Sequence, residues 1–298
     1  MFYAFLTIIA GMMISFQSSC NGLLFPFLGV LGVGFVSLLL NSAGNFVLQL
    51  ATTRRLPDFK KTPVQVIFAG IFAVFSLGLT GFCVDKLGTA VTVCLSVSGQ
   101  LFMSAIVDHF GFFGTEKIPI RATKIPVFLC ILAGILIINF AGAPSFSSVP
   151  NKLILFFCLL LALLAGFITI IARMFTYETT KYMGKFGGGC MSCLTGAVIA
   201  ILLMFVLSGF HLSFDVYWKV PPIGYLTGPL GTISCFFSNI AYDRIKIFFA
   251  TICLLVGQIA AGILADLILL GSFQPGKIIG ITVVCIGIFL DKKISASK

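Results

Sequence analysis

The sequence predicts an all-α integral membrane protein: ten transmembrane helices arranged as two inverted five-helix repeats. Three observations lead there. Apolar residues make up 59% of the 298-residue chain and charged residues only 9%, whereas a soluble domain carries about 25% charged residues to cover its surface. The apolar residues gather into ten runs, most of them close to the roughly 20 residues a helix needs to cross a bilayer. The two halves of the chain also repeat a pattern of polar residues at one spacing.

The first run, residues 3–24, lacks the basic start and small-residue cleavage site of a secretory signal, so a span is expected there. Runs at 32–51, 63–82, 88–107 and 125–141 complete a first repeat over residues 1–145. Runs at 153–175, 188–207, 221–240, 247–269 and 278–290 form a second over residues 146–298. Helices are the expected state because they satisfy their own backbone groups in lipid. A membrane β-barrel would instead show alternation within segments of about ten residues.

The basic residues set the orientation. On the side of the N-terminus, the connectors and the C-terminus hold fourteen Lys and Arg residues, among them Arg54, Arg55, Lys117 and Lys293. The opposite side holds four: Lys86, Lys152, Lys219 and Lys277. The positive-inside rule then predicts that both termini are cytoplasmic in the plasma membrane, which requires an even number of helices. This placement in short connectors also explains the net charge of +10 without nucleic acid, which would call for a basic stripe interleaved with stacking aromatics.

Asp85, Gly99-Gln100 and Asp108 recur as Asp243, Gly257-Gln258 and Asp266 with the same intervals. Ala10-Gly11 and Ala165-Gly166 fall at matching positions of the first helix in each half. Polar residues inside a membrane are costly and rare, so four shared positions weigh more than their number. A repeat of five helices is odd, and the second copy must enter the membrane the other way up. Such inverted repeats recur among secondary transporters, and a secondary transporter moving a small solute by alternating access is the function expected here, with protons or the solute gradient as drive; the alternative is a non-transporting membrane subunit or sensor, with a membrane enzyme behind both.

The intramembrane polar residues are the candidates for a central site. Gln17 and Asn21, spaced i, i+4, share a helix face; they line a cavity or tie the first helix to a neighbour. Asn41 and Asn45 repeat that spacing in the second span. Gln100 and Gln258 each follow a glycine that admits a neighbouring backbone; they contact solute or fix the halves together. Arg173, matched by the repeat to Ser18, clamps an anion through its planar fork, reaches the cytoplasmic interface, or pairs with Glu178. Tyr177 offers a polar tip beside it. Cys190-x-x-Cys193 lacks a redox fold context and further zinc ligands, and reads as small-residue helix packing. No metal, cofactor or enzymatic cluster of His, Asp and Cys is expected. Gly29 to Gly34 follows no strand and is not a dinucleotide loop.

Two stretches carry a family resemblance: AGMMISFQSSCNGLL from Ala10 to Leu24, and VDKLGTAVTVCLSVSGQLFMSAIVDHFGFFG from Val84 to Gly114. They resemble the YdcZ-type branch of the drug/metabolite transporter superfamily, of EamA-like fold. The resemblance implies the inverted-repeat fold and export of a metabolite, by a monomer or homodimer, and names no substrate. The related small multidrug resistance proteins use a glutamate in the first helix. This chain has Gln17 there instead, which argues against simple proton-for-lipophilic-cation exchange.

Overall fold

The structure, a computed structural model, describes residues 2–54, 63–112, 133, 152–207, 215–242, 244, 245 and 247–270. The expected spans at 125–141 and 278–290 lie outside the described residues, Ala133 apart. All regular structure among the described residues is helical. The helices are α1 (Phe2–Thr53), α2 (Gln65–Leu87), α3 (Thr89–Phe110), α4 (Lys152–Met183), α5 (Lys185–Leu207), the single turn α6 (Asp215–Trp218), a 3-10 segment (Pro222–Leu226), α7 (Thr227–Tyr242) and α8 (Ile247–Leu270). Among the described residues, four segments are long and apolar enough to cross a membrane: Phe2–Thr53, Gln65–Leu87, Ile154–Met183 and Phe186–Leu207. Val91–Val107 and Phe249–Gly262 are shorter apolar helices.

The first two expected spans are joined without a loop. A straight helix of 52 residues would run about 78 Å at 1.5 Å per residue, far beyond the roughly 30 Å of hydrocarbon in a bilayer. It breaks at Gly29, whose φ of 63° and ψ of −174° belong to a region essentially reserved for glycine. The two arms fold back on each other. Ser37 Oγ donates to Asn21 Oδ1 at 2.8 Å across the break, a separation of about 24 Å in an unbroken helix. Gly184, with φ of 80°, makes the matching turn between α4 and α5.

α4 continues to Met183, beyond the expected end at residue 175. Its last turns carry polar residues whose hydroxyls are satisfied within the helix itself: Thr176 Oγ1 donates to Ala172 O at 2.9 Å and Thr179 Oγ1 to Phe175 O at 2.9 Å. Lys181 and Glu178 add an i, i+3 ion pair at 3.2 Å. The span expected at 221–240 is divided. Pro221 and Pro222 lack donors for a ladder, so a 3-10 turn precedes α7.

The exposed faces are apolar. Phe156, Phe157, Leu160 and Leu164 form one such stripe on α4, and Val198, Leu202 and Val206 another on α5. In water such patches would drive association; facing lipid, they are solvated. The inward faces carry the amides and hydroxyls.

α1 packs on α2, α5, α7 and α8, while α4 packs on α2, α3 and α5, and α3 on α8. Two of these contacts are the same contact made twice. A Cβ on Gly11 would overlap the Leu254 carbonyl oxygen of α8, and one on Gly257 the Ile8 oxygen of α1. A Cβ on Gly166 would overlap the Ser96 oxygen of α3, and one on Gly99 the Leu163 oxygen of α4. Each partner in the first pair corresponds, in the register of the repeated polar pattern, to one in the second. The helices cross backbone to backbone at both places. The obstructing atoms are carbonyls, which cannot swing aside as a side chain can. Gly99→Ala and Gly257→Ala should therefore each cost about 1–3 kcal/mol. In detergent, thermal unfolding should fall clearly for both and hardly at all for Leu202→Ala on the lipid-facing surface.

Candidate functional site: a cavity inside the bundle

The helices that cross at these glycines enclose a cavity of about 150 Å³. Its walls come from both arms of α1 and from α2, α3, α4, α5, α7 and α8. Of the eight polar residues singled out in the sequence, Gln17, Asn41, Gln100, Arg173 and Gln258 line it. Asn21, Asn45 and Tyr177 do not. The wall also draws on α2 and α7, through residues that sequence reasoning passed over: Ser76, Thr80, Ser234 and Asn239.

Gln17 and Asn21 share a face yet have different surroundings. Asn21 sits one turn nearer the break at Gly29 and is fully buried. Its Oδ1 accepts from Ser37 Oγ at 2.8 Å and from Thr227 Oγ1 at 2.7 Å, so one amide ties both arms of α1 to the start of α7. Gln17, a turn earlier, reaches the cavity. Asn45 plays a similar supporting part. Its Nδ2 donates to the Asn41 backbone carbonyl at 2.9 Å and to Asn41 Oδ1 at 2.7 Å. Thr232 Oγ1 stands 3.2 Å from the same Oδ1. With its oxygen held from that side, Asn41 presents its Nδ2 to the cavity.

Gly231 of α7 makes room for this arrangement. A Cβ there would lie 2.6 Å from Gln17 Nε2 and 2.7 Å from Asn41 Nδ2. The two amide groups thus converge on one glycine. On the opposite wall, Ser76 Oγ and Thr169 Oγ1 meet at 2.5 Å, joining α2 to α4.

Arg173 is the one charged side chain on the wall among the described residues. Glu178, its nearest acidic neighbour along α4, is paired with Lys181. Because α4 runs on for ten residues, almost three turns, after Arg173, the guanidinium does not leave from a helix end. Its Nη1 is buried without a hydrogen-bond partner among the protein atoms, as are Gln100 Oε1 and Gln258 Nε2. Gln100 and Gln258 are 3% and 1% exposed. Tyr177 belongs elsewhere: it packs against the cluster of Ala10, Ile170 and Met174, with Lys181 Nζ 5.1 Å above its ring. Cys190 and Cys193 are free thiols. Cys193 packs with Leu38, Val74 and Ala197, and Ser42 Oγ donates to the Cys190 carbonyl at 3.0 Å. Among the described residues, no group of three His, Cys, Asp or Glu is placed to hold a metal.

A helical bundle coated with apolar side chains, with its amides and hydroxyls turned inward, is the build of an integral membrane protein. The chain belongs to the family described as "Putative inner membrane exporter, YdcZ", which matches residues 2–137 and 157–290. It is therefore an integral inner-membrane protein of the drug/metabolite transporter type. No curated protein matches the sequence. A solved structure titled "Crystal structure of protein" shares the fold, with a TM-score of 0.62 at 16% identity over 99% of this chain and 97% of that one.

The different surroundings of Gln17 and Asn21 can be measured. Asn21→Leu removes the shared acceptor of two buried hydroxyls and should cost about 1–3 kcal/mol. Gln17→Leu, facing the cavity, should lower the thermal unfolding temperature by clearly less.

Proposed function

We propose that this protein is a secondary transporter that moves a small organic solute through the cavity by alternating access, in the direction of export. The cavity carries this reading. Amides and a guanidinium exposed in a largely apolar cavity inside an apolar bundle cost stability unless something polar uses them. At about 150 Å³ the cavity matches the size of one that takes a benzene-sized guest. The family's description as an exporter supports a transport role and not an enzymatic one, and supports the outward direction.

In the same reading the chain is ten helices in two inverted halves, 1–145 and 146–298, with both termini in the cytoplasm. Support comes from the paired crossings of α1 with α8 and of α4 with α3, from the matching turns at Gly29 and Gly184, and from the two stretches over which the family matches. Two similar halves of opposite orientation can exchange conformations, so that outward-open and inward-open states have comparable energy. Backbone-tight glycine crossings suit the fulcrum of such a movement, because they allow rotation while preserving contact. Gln17, Asn41, Gln100, Arg173 and Gln258 are the residues proposed to contact the solute.

The test is accessibility. Single cysteines replacing Ser96 and Thr176, in a background without other reactive thiols, are exposed to a membrane-impermeant maleimide in right-side-out and in inside-out vesicles. Alternating access predicts labelling from both sides. Labelling from one side only under every condition, or from neither, would contradict it.

A further inference from the structure

Resting on that reading of the cavity, we infer that its solute is a small organic anion, held through its carboxylate by Arg173. Three features of the wall point the same way. The first is charge. A guanidinium keeps its proton at any physiological pH, and Arg173 is the one charged group on the wall among the described residues. Among the described residues no acidic side chain on the wall compensates it, and Glu178 is engaged with Lys181 at 3.2 Å. An isolated cation in low-dielectric surroundings attracts an anion far more strongly than the same cation in water. The buried Nη1, without a protein partner, is one prong of the fork that matches a carboxylate.

The second feature is the sense of the remaining hydrogen-bonding groups. Asn41 turns its Nδ2 inward because Asn45 and Thr232 occupy its oxygen. That Nδ2 and Gln17 Nε2 converge at Gly231, and the Gln258 Nε2 is without a partner. Among the amides donors therefore predominate, which suits the oxygens of a carboxylate, while the wall hydroxyls of Ser18, Thr80, Ser96, Thr176 and Ser234 give their protons to backbone carbonyls and offer acceptors to the rest of the guest. Gln100 Oε1 is the counterpoint, an unpartnered acceptor suited to one donor on the solute. The third is size. A volume of about 150 Å³ holds a single ring or its equivalent and excludes large amphiphiles in this state.

The proposal separates three probes that share one shape: benzoate, benzamide and benzylammonium. Their binding to the purified full chain in nanodiscs, by calorimetry at pH 7, should favour benzoate by about tenfold or more over the other two, as expected for a charge-assisted pair. Arg173→Gln should level the series. Arg173→Lys, which keeps the charge and loses the fork, should keep part of the preference and guards against a folding defect in the glutamine variant. Benzoate binding no tighter than benzamide in the natural protein, or no binding by any of the three, would overturn the assignment. So would a benzoate preference that survives in a folded Arg173→Gln. Tight benzamide or benzylammonium binding that is lost on Gln17→Ala would sink the anion while leaving the cavity as a solute site. Failure of the transport reading itself appears separately, in one-sided labelling of the cysteines at positions 96 and 176.

Discussion

Nothing in the hydrocarbon of a bilayer can donate or accept a hydrogen bond, and each polar group in this molecule answers to that constraint. Backbone groups are satisfied by helices. Side-chain hydroxyls turn back onto their own helix, as Thr7, Thr169 and Thr176 do. The amides that cannot do so are placed inside, where they meet one another, a hydroxyl or the cavity. Once the outside must be apolar, hydrophobic burial no longer distinguishes the interior, and packing has to draw the helices together. Hence the glycines at the crossings: α1 against α8 and α4 against α3 approach until a single methyl group would strike a carbonyl oxygen. The cavity lies among the helices these crossings hold.

Much of this was legible in the sequence because lipid makes polar residues conspicuous. Gln17, Asn41, Gln100, Arg173 and Gln258 stand out of apolar runs, and all five reach the cavity. The helical class and the family were equally readable, from composition and from the stretch beginning at Val84. What was not readable depends on geometry that spacing does not encode. Asn21 differs from Gln17 only by one turn. Its partners Ser37 and Thr227 come close because Gly29 takes a positive φ, and no residue pattern announces that value. The serines and threonines of the wall were invisible for another reason: hydroxyls are common in membrane helices and ordinarily bond back to a carbonyl, so their presence is no signal. The importance of Gly231 likewise depends on two amides pressing on it from another helix.

The cavity and the crossings belong to one scheme. Arg173 sits on the same face of α4 as Ala165-Gly166 and Thr169, about two turns from where α4 meets α3, and its equivalent along α1 from Gly11 is Ser18, beside Gln17 on the cavity wall. Gln100 and Gln258 directly follow the glycines of the partner helices. Four of the residues proposed to hold the solute, Gln17, Gln100, Arg173 and Gln258, are thus within about two turns of the residues that fix the helix crossings, and Gln100 and Gln258 hold matching positions in the repeated pattern. A movement of the halves about the crossings would shift these side chains little, while opening and closing the ends of the bundle.

Distances across the two ends of the bundle report whether they open and close in opposition. Spin labels at Arg54 and Tyr182 report one end, and labels at Lys86 and Trp218 the other; all four side chains are exposed. Pulsed dipolar measurements in nanodiscs should give two populations for each pair. Conditions that lengthen the first distance should shorten the second. A single narrow distance at each end, or distances that lengthen and shorten together, would contradict alternating access about the glycine crossings.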